Sequence, residues 1–568
     1  MSALPWIAAG LFALAAISVV TRNRRRAQTL ERLKRDWGQL VDRRRDMPAI
    51  AKLFRAELEA GTTNGLDDRT WTDLNLDDVF AVLDRTESVV GQQRLYARLR
   101  GSAAGASLDA FEALVTKFSD DPDTREAAQL ALTALRDPSG YDVIDLTRPD
   151  ALDTQAWHLV FPVLGVSMLA ALVLVPIWPA LIFLLAVGAL AGSVLRGTIA
   201  RDLQIVTGAF RQVGPLISAA ATIGTLPLPS TELTGRLRGH VSALAGLRRI
   251  AGWVSRDRSG AAAGDLGGLV IEYLNLLFFL DANALFFGGR ELRAHAADLR
   301  GLVGAVGEVD AALSVASYRA GTSGWTRPRF GAATDRLHLA EIRHPLLPDA
   351  VPNSVTLGPP DGLLITGSNM SGKSTFLRTV GVTIVMAQTI HTCLAETYEG
   401  PLVVVRSCIG RADDPASGKS YYLVEVESVL DLVRAARTPQ RHIMLFDELF
   451  RGTNAIERIA AGAAVLESLL TTDSETSTRD NGPRNIVIAA THDLELVDLL
   501  ARRYAPYHFT DSLDADGLIF DYRLRQGAST TRNAIALLEL RGAPSDLVAR
   551  ALAHAQDLGH NARVLSRS

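Results

Sequence analysis

The chain has 568 residues, which is enough for about three or four domains. Its 59 basic and 62 acidic side chains give a net charge of −3, so any surface that binds nucleic acid must be local. Two cysteines exclude a disulfide-stabilised scaffold, and a hydrophobic content of 48% excludes a disordered chain. The mean hydropathy is +0.14, and two long apolar runs contribute much of it.

The first apolar run covers residues 3–20 and contains no charged side chain. At about 1.5 Å per residue it is just long enough to cross a hydrocarbon core of about 30 Å. Arginines follow the run instead of preceding it, which favours a membrane anchor over a secretory signal. We therefore expect residues 1–20 to form a transmembrane anchor, with a buried core helix as the alternative.

The second apolar run covers residues 156–195 and is divided by Pro176 and Pro179. Because proline interrupts a helix, the run predicts a transmembrane hairpin of two spans. Arg196 and Arg201 follow on the side expected to be cytoplasmic. The chain is thus predicted to have three transmembrane helices and to be a multi-pass protein of the cell membrane. A pair of buried helices in a bundle is the alternative.

A basic stretch follows the predicted anchor. Residues 21–55 contain 12 Lys or Arg and only four Asp or Glu. Beside a membrane such a stretch binds anionic lipid headgroups, so membrane lipids are one predicted partner. DNA binding and a plain solvated helix are the alternatives.

A glycine-rich loop follows a short apolar strand in the second half of the chain. Residues 367–374 read GSNMSGKS, which matches G-x-x-x-x-G-K-[ST], and a helical pattern comes next. Backbone N–H groups in such a loop hold phosphates, so ATP is the expected ligand. Lys373 is expected to reach the β- and γ-phosphates, and Ser374 to bind Mg²⁺. The nucleotide-binding residues predicted here are Gly367, Ser368, Asn369, Met370, Ser371, Gly372, Lys373, Ser374 and Thr375.

Two later strands end in side chains suited to ATP hydrolysis. Residues 442–448 read HIMLFDE. Asp447 is expected to hold Mg²⁺, and Glu448 to polarise a water molecule. The next strand ends at Thr491-His492, a position that faces the γ-phosphate in ABC-type ATPases. Glu448, His492 and Lys373 are therefore the predicted catalytic residues.

Together these motifs resemble the MutS family of ABC-type ATPases. TGSNMSGKSTFLR resembles the family's TGPNMxGKST loop, and FDELFRGTN resembles its Walker B and D-loop run, although Phe450 replaces a glycine. Residues 409–426 resemble the family's signature segment. The resemblance implies that Ser420 and Glu425 act on the nucleotide of a partner chain. It also implies that Val351 and Asn353 cradle the adenine.

The resemblance implies the fold class and the domain order. We expect an α/β ABC-type P-loop ATPase head joined to an all-α core, together with the three transmembrane helices. One P-loop and one signature segment per chain imply a homodimer with two composite sites. The predicted domains are an anchor (1–20), a basic juxtamembrane segment (21–60), a helical core (61–155 and 196–330) split by the hairpin (156–195), an ATPase domain (331–525) and a helix-turn-helix dimerisation tail (526–568).

The predicted function is that of a membrane-anchored MutS-like ATPase, a dimeric ATP-driven clamp acting on DNA. Its cofactors would be ATP and Mg²⁺, and no structural metal is expected. Because the core begins near residue 60, the resemblance describes a variant without the family's mismatch-reading domain. The alternatives are an ATP-switched membrane scaffold with little turnover and a transporter-like ABC-type ATPase.

Overall fold

The computed structural model divides the chain into two compact units. The helical unit comprises Met1–Asn64 and Phe80–Ser323, and the sheet unit comprises Gly65–Val79 and Gly324–Ser568. The residues that the structure describes are 4–63, 65–101, 105–148, 160–255, 288–331, 335–358, 361–368, 370–409, 421–470, 485–514, 517–528, 535, 538–539 and 542–565.

The described helices follow one another along both units. They are α1 (Leu4–Asp36), α2 (Met47–Ile50), α3 (Lys52–Glu59), α4 (Asp68–Asp73), α5 (Leu76–Leu83), α6 (Val89–Arg100), α7 (Gly105–Asp120), α8 (Pro122–Leu132), α9 (Val160–Leu174), α10 (Leu181–Ile223), α11 (Thr231–Ala243), α12 (Ala245–Ser255), α13 (Ala296–Gly321), α14 (Lys373–Ile390), α15 (Tyr421–Ala436), α16 (Ala455–Leu470), α17 (Glu495–Leu500) and α18 (Ser545–Leu565). Short 3₁₀ helices occupy Thr133–Leu135, Pro138–Val143 and Asp145–Thr147.

The core of the helical unit forms around α13. This helix packs against α6 and α7, and Val306, Val309 and Leu313 on it are buried. Asp121 caps α8 by accepting a hydrogen bond from the backbone N–H of Thr124, which satisfies a donor that the helix cannot. Burial of apolar side chains and capping of helix ends therefore both stabilise the helical unit.

Asp310 on α13 holds the N-terminus of α6. Its buried carboxylate accepts hydrogen bonds from the backbone N–H groups of Glu87 (2.9 Å) and Ser88 (2.7 Å) and from the Ser88 hydroxyl (2.5 Å). Gly91 faces it so closely that a Cβ there would lie 2.1 Å from Oδ2. The short distance between α6 and α13 therefore requires glycine at this position.

The prediction of three transmembrane helices is wrong for the described part of the chain. None of its helices combines the length and the apolar character needed to cross a bilayer. In the second run the described part of α9 ends at Leu174, and residues 149–159 before it lie outside the described residues. The prolines do end that helix, as expected. However, α10 does not end at residue 195 but extends from Leu181 to Ile223, 43 residues in all, and its later part packs within the helical unit.

The first run forms part of α1, which continues unbroken into the basic stretch; the side chains of residues 4–18 lie outside the described part. The prediction of a multi-pass protein of the cell membrane is wrong on the same finding. The predicted lipid partner and the transporter alternative both depended on those spans, and both lose their support.

The sheet unit contains two sheets. Its strands are β1 (Arg329–Phe330), β2 (Leu337–Ile342), β3 (Asn353–Leu357), β4 (Gly362–Thr366), β5 (Thr397–Gly400), β6 (Val404–Cys408), β7 (His442–Asp447), β8 (Ile486–Ala490), β9 (Tyr504–Asp514) and β10 (Gly517–Gln526). The smaller sheet has the order β1-β5-β2-β3, and the larger has the order β10-β9-β4-β8-β7-β6.

The larger sheet is parallel from β9 to β6, with β10 antiparallel at one edge. Ile365 on β4 and Asp447 on β7 are both in register with Ala490 on β8. Parallel strands buried on both faces are expected to be continuously apolar, and β4 and β8 are buried throughout. As a result, the carboxyl ends of β4, β7 and β8 meet at one edge.

A segment from the first half of the chain, residues 65–79, belongs to the sheet unit. The buried carboxylate of Asp73 accepts hydrogen bonds from the Ser407 hydroxyl and the Ile409 backbone N–H, both at 2.8 Å. Leu74 fills the space beside Gly381 on α14, where a Cβ would lie 2.6 Å from it. The segment therefore holds the end of β6, immediately before the predicted signature segment.

The predicted C-terminal helix-turn-helix is described in part. Its second helix is α18, which begins after Pro544, whereas most of the first predicted helix lies outside the described residues.

We expect Asp310→Ala to lower the free energy of unfolding by about 2–4 kcal/mol, because it leaves buried donors at the start of α6 unpaired. Urea titration of the full chain measures this. Burial raises the pKa of Asp310 to about 7, so a pH of 8.5 keeps the carboxylate ionised.

Asp46→Ala is the matched control, since Asp46 caps α2 at an exposed position. It should cost about 0.5–1 kcal/mol. Equal small losses in both variants would show that Asp310 does not hold α6.

Candidate nucleotide site

The glycine loop connects β4 to α14 at the sheet edge described above. Gly367 and Gly372 have φ angles of +147° and +107°, which favour glycine. A Cβ on Gly367 would also lie 2.8 Å from the Ser371 hydroxyl. Met370 is exposed, and Asn369 lies outside the described residues. The loop thus opens α14 in the strand–loop–helix order that the motif requires.

Lys373 lies buried beneath the loop. Its Nζ donates hydrogen bonds to the carbonyl oxygens of Gly367 (2.7 Å) and Ser368 (2.8 Å). Burial lowers the pKa of Lys373, and the carboxylates of Asp447 and Asp511 oppose that shift. The ammonium group therefore lies within the loop that would enclose the phosphates.

Two hydroxyl groups of the loop are suited to bind a phosphate group. Ser368 Oγ and Ser371 Oγ are buried, and neither has a hydrogen-bond partner among the described residues. A buried hydroxyl without a partner is costly, and phosphate oxygens would accept its hydrogen. The loop, its lysine and these hydroxyls fit a nucleotide phosphate.

The predicted Mg²⁺ ligands lie together. The Ser374 hydroxyl donates a hydrogen bond to Asp447 Oδ2 at 2.5 Å. No group of three or more His, Cys, Asp or Glu suited to a metal occurs among the described residues. Mg²⁺ needs fewer protein ligands, because phosphate oxygens and water complete its shell. The pair therefore fits Mg²⁺ held jointly with a nucleotide.

Glu448 lies next to both Asp447 and His492. Its backbone has a φ of 56° and donates a hydrogen bond to the Ala490 carbonyl at 2.9 Å. This bond to β8 places the carboxylate 3.5 Å from His492 Nδ1. The buried carboxylate also forms an ion pair with Arg451, which lies in the FDELFRGTN run but has no role assigned by the motif. The structure therefore brings the three predicted catalytic side chains to one sheet edge and adds an arginine.

A cavity of about 470 Å³ lies beside the loop. Val351 and Asn353, which are predicted to cradle the adenine, line it together with Gly372 and Thr375. Asn353 Nδ2 donates to the Tyr522 carbonyl at 3.0 Å, and its Oδ1 accepts from the backbone N–H of Leu524 at 2.7 Å. Its amide thus joins β3 to β10.

The sequence analysis missed the aromatic side of this cavity. Phe376, Phe509 and Tyr522 line it, and a Cβ on Gly372 would lie 3.2 Å from the Tyr522 ring. Apolar and aromatic walls are usual in sites for flat ligands such as a base. Phe509 and Tyr522 come from β9 and β10, which no motif marks.

The signature residues are placed only in part. Ser420 lies outside the described residues. Glu425 on α15 accepts a hydrogen bond from the backbone N–H of Phe450 at 2.5 Å. Phe450 has a φ of 60°, so this bond stabilises a left-handed conformation where the family has glycine.

A glycine loop, two strand-end carboxylates and a threonine–histidine pair at the edge of a parallel sheet define a P-loop nucleotide-binding domain. Residues 363–559 match the family model described as MutS domain V. This part of the chain is thus similar to MutS domain V, the family that the motifs resemble.

Similar proteins match less than half of the chain. It is 33% identical over 250 residues to the DNA mismatch repair protein MutS of Thermus thermophilus and 34% identical over 250 residues to that of Thermus aquaticus. It is 32% identical over 278 residues to the DNA mismatch repair protein MutS 2 of Halobacterium salinarum. These matches cover 43–47% of this chain but only 28–30% of the relatives.

His344 in the cavity wall should make stability depend on pH. Burial lowers its pKa to about 4, and Arg378 adds to the shift; its Nδ1 accepts a hydrogen bond from the backbone N–H of Leu346. The ordinary pKa is about 6.5. The neutral ring therefore stabilises the folded state above pH 6.5, and that contribution is lost as the pH falls to 4.

We expect the difference in unfolding free energy between the unsubstituted protein and His344→Gln to shrink between pH 6.5 and 4. Urea titrations across pH 4–8 measure it. A constant difference over this range would contradict the role of His344.

Proposed function

We propose that this protein is an ATP-hydrolysing MutS-type clamp that works as a homodimer and acts on DNA. The observation that carries the proposal is the convergence of Lys373, the Ser374–Asp447 pair, Glu448 and His492 beside a cavity of about 470 Å³. No single motif accounts for this arrangement, because its members come from separate strands that are adjacent only in the sheet.

Each residue has a role that its position supports. The loop N–H groups and Lys373 bind the phosphates, and the cavity accepts the base. Ser374 and Asp447 would hold Mg²⁺, which neutralises phosphate charge when bound. Glu448 accepts a proton from the attacking water, and His492 lies close enough to orient that water or the phosphate.

The homodimer rests on the predicted signature residues. The chain has one loop and one signature segment, so a site that needs both in trans requires two copies. The bond between Glu425 and Phe450 joins the signature helix to the segment that follows Glu448. Movement of Ser420 toward a partner's nucleotide would therefore affect the position of Glu448.

The DNA part of the proposal comes from the relatives, which are named DNA mismatch repair proteins. The matched region covers under a third of those proteins, so mismatch recognition itself is not part of the proposal. We propose duplex DNA, without a stated lesion, as the ligand of the clamp. That the chain lacks a mismatch-reading domain stays a prediction.

One observation favours a second function, an ATP-switched scaffold with little turnover. Arg451 forms an ion pair with the carboxylate that would activate water. A carboxylate held by a guanidinium is a weaker base, because the positive charge stabilises its ionised form. ATP would then hold the dimer closed and be hydrolysed slowly.

Turnover of ATP by the purified full chain tests the enzyme. Lys373→Ala should abolish tight nucleotide binding, and Glu448→Gln should retain binding but lower kcat by about 100-fold or more. Nucleotide affinity and phosphate release are measured together. Lys117→Ala and Glu399→Gln are matched controls, because each removes a charge that pairs with a partly or fully exposed side chain away from the site.

Turnover that survives both substitutions would reject the site. Tight ATP binding without turnover in the unsubstituted chain, with turnover appearing in Arg451→Ala, would instead establish the scaffold.

DNA binding is tested with plain, mismatched and branched duplexes at several salt concentrations, with and without ATP. We expect ATP to change the affinity, and the logarithm of the binding constant to fall linearly with the logarithm of salt concentration. A slope near zero for every duplex would reject DNA as the ligand.

A further inference from the structure

The helical unit contains a second cavity, of about 450 Å³, that the proposed ATPase does not use. Its walls come from the end of α1, the segment after it, the start of α6 and the residues around Pro138. Five arginines but only two acidic residues line it, an excess of three positive charges. The arginines are Arg32, Arg43, Arg44, Arg85 and Arg136, and the acidic residues are Asp36 and Glu87.

The carboxylates around this cavity are shared. Glu87 forms ion pairs with both Arg32 (3.8 Å) and Arg136. Asp84, fully buried behind the wall, does the same with Arg43 and with Arg45 (2.9 Å). Each of these carboxylates thus pairs with two guanidinium groups, so one negative charge faces two positive charges in each cluster.

Arg85 has no such partner. It is only 9% exposed, and among the described residues no carboxylate lies within ion-pair distance of it. Its Nη1 donates to the carbonyl oxygens of Ser317 (2.5 Å) and Gly38 (3.1 Å), whereas its buried Nε has no acceptor in the described part of the chain. Burial lowers the pKa of Arg85, with only Tyr318 opposing the shift. The guanidinium also lies over the Tyr318 ring, 5.2 Å from its centroid. A buried guanidinium without a counter-charge is costly, and an anion in the cavity would offset that cost.

The other arginines, the volume and an aromatic side chain of this cavity indicate an anion with phosphate groups. Arg32 Nη2 is also buried without a hydrogen bond, and Arg44 is exposed at the cavity with no ion pair among the described residues. Guanidinium groups match phosphate oxygens in pairs and keep their charge at any physiological pH. The volume is within the range of small-molecule sites, and Trp37 supplies an aromatic wall.

We propose that this cavity binds the phosphate groups of a small phosphorylated molecule, with Arg85 at its base and Arg44 at its rim. The ligand is enclosed by the helical unit alone, so this site is separate from the nucleotide site of the sheet unit. A free polyphosphate and a nucleoside phosphate share the chemistry that these arginines recognise.

Titration calorimetry with inorganic pyrophosphate tests the proposal on the full chain carrying Lys373→Ala, which weakens phosphate binding at the glycine loop. We expect binding that Arg85→Met weakens about tenfold or more, because a charge-assisted hydrogen bond is lost. Arg44→Ala should weaken it several-fold without affecting folding. Arg55→Ala is the matched control, an exposed arginine of the same unit outside the cavity, and should change nothing.

Parallel titrations distinguish the sources of phosphate. If a nucleoside diphosphate binds more tightly than pyrophosphate, and Arg85→Met again weakens the binding, the ligand is a nucleoside phosphate whose base contacts Trp37. If the two bind equally tightly, the ligand is a free polyphosphate. The proposal is overturned if pyrophosphate does not bind, or if all four proteins bind it equally. It is also overturned if duplex DNA alone binds in an Arg44-dependent manner, since the arginines would then form a nucleic-acid surface. If Arg85→Met fails to fold, the other two variants test the proposal: it stands if Arg44→Ala weakens pyrophosphate binding and Arg55→Ala does not, and it is overturned if both bind equally.

Discussion

The candidate site depends on the parallel pairing of β4, β8 and β7. Because β8 is hydrogen-bonded to both neighbours in register, the glycine loop, Asp447 with Glu448, and Thr491 with His492 all emerge at one edge. The bond from the Glu448 amide to the Ala490 carbonyl extends that pairing by one residue beyond the strand and turns the carboxylate toward His492. A shift of one residue in β8 would separate these groups, since successive side chains point to opposite faces of a sheet.

The two cavities would hold negative charge by different physical means. At the glycine loop, backbone N–H groups at the start of a helix and one lysine would surround the phosphates, so the site is formed mostly by main chain. In the helical unit the positive charge comes from side chains alone, and the backbone carbonyls of Ser317 and Gly38 only fix the position of Arg85. The first kind of site needs glycines, which mark it in a sequence. The second needs arginines brought together from distant parts of the chain.

That difference explains how much could be predicted from the sequence. The loop and the strand-end residues are contiguous motifs, and the structure places the described ones together. Tyr522 and Phe509 belong to no recognised pattern, because β9 and β10 reach the site only through the order of the sheet. Arg451 lies in the FDELFRGTN run, but that run does not show that its guanidinium pairs with Glu448. Hydropathy was misleading for residues 156–195: the prolines do end α9, but apolar composition does not show that α10 continues well past Leu195.

Residues 65–79 have a consequence for the way the protein is made. This segment leaves the ribosome long before β4, β6 and α14, yet its Asp73 and Leu74 complete the sheet unit. Leu74 must therefore remain without its partners while Phe80–Ser323 is synthesised. The sheet unit can therefore be completed only after the helical unit has been synthesised, and a gene fragment that begins at residue 324 would encode a sheet unit with an open groove at Gly381.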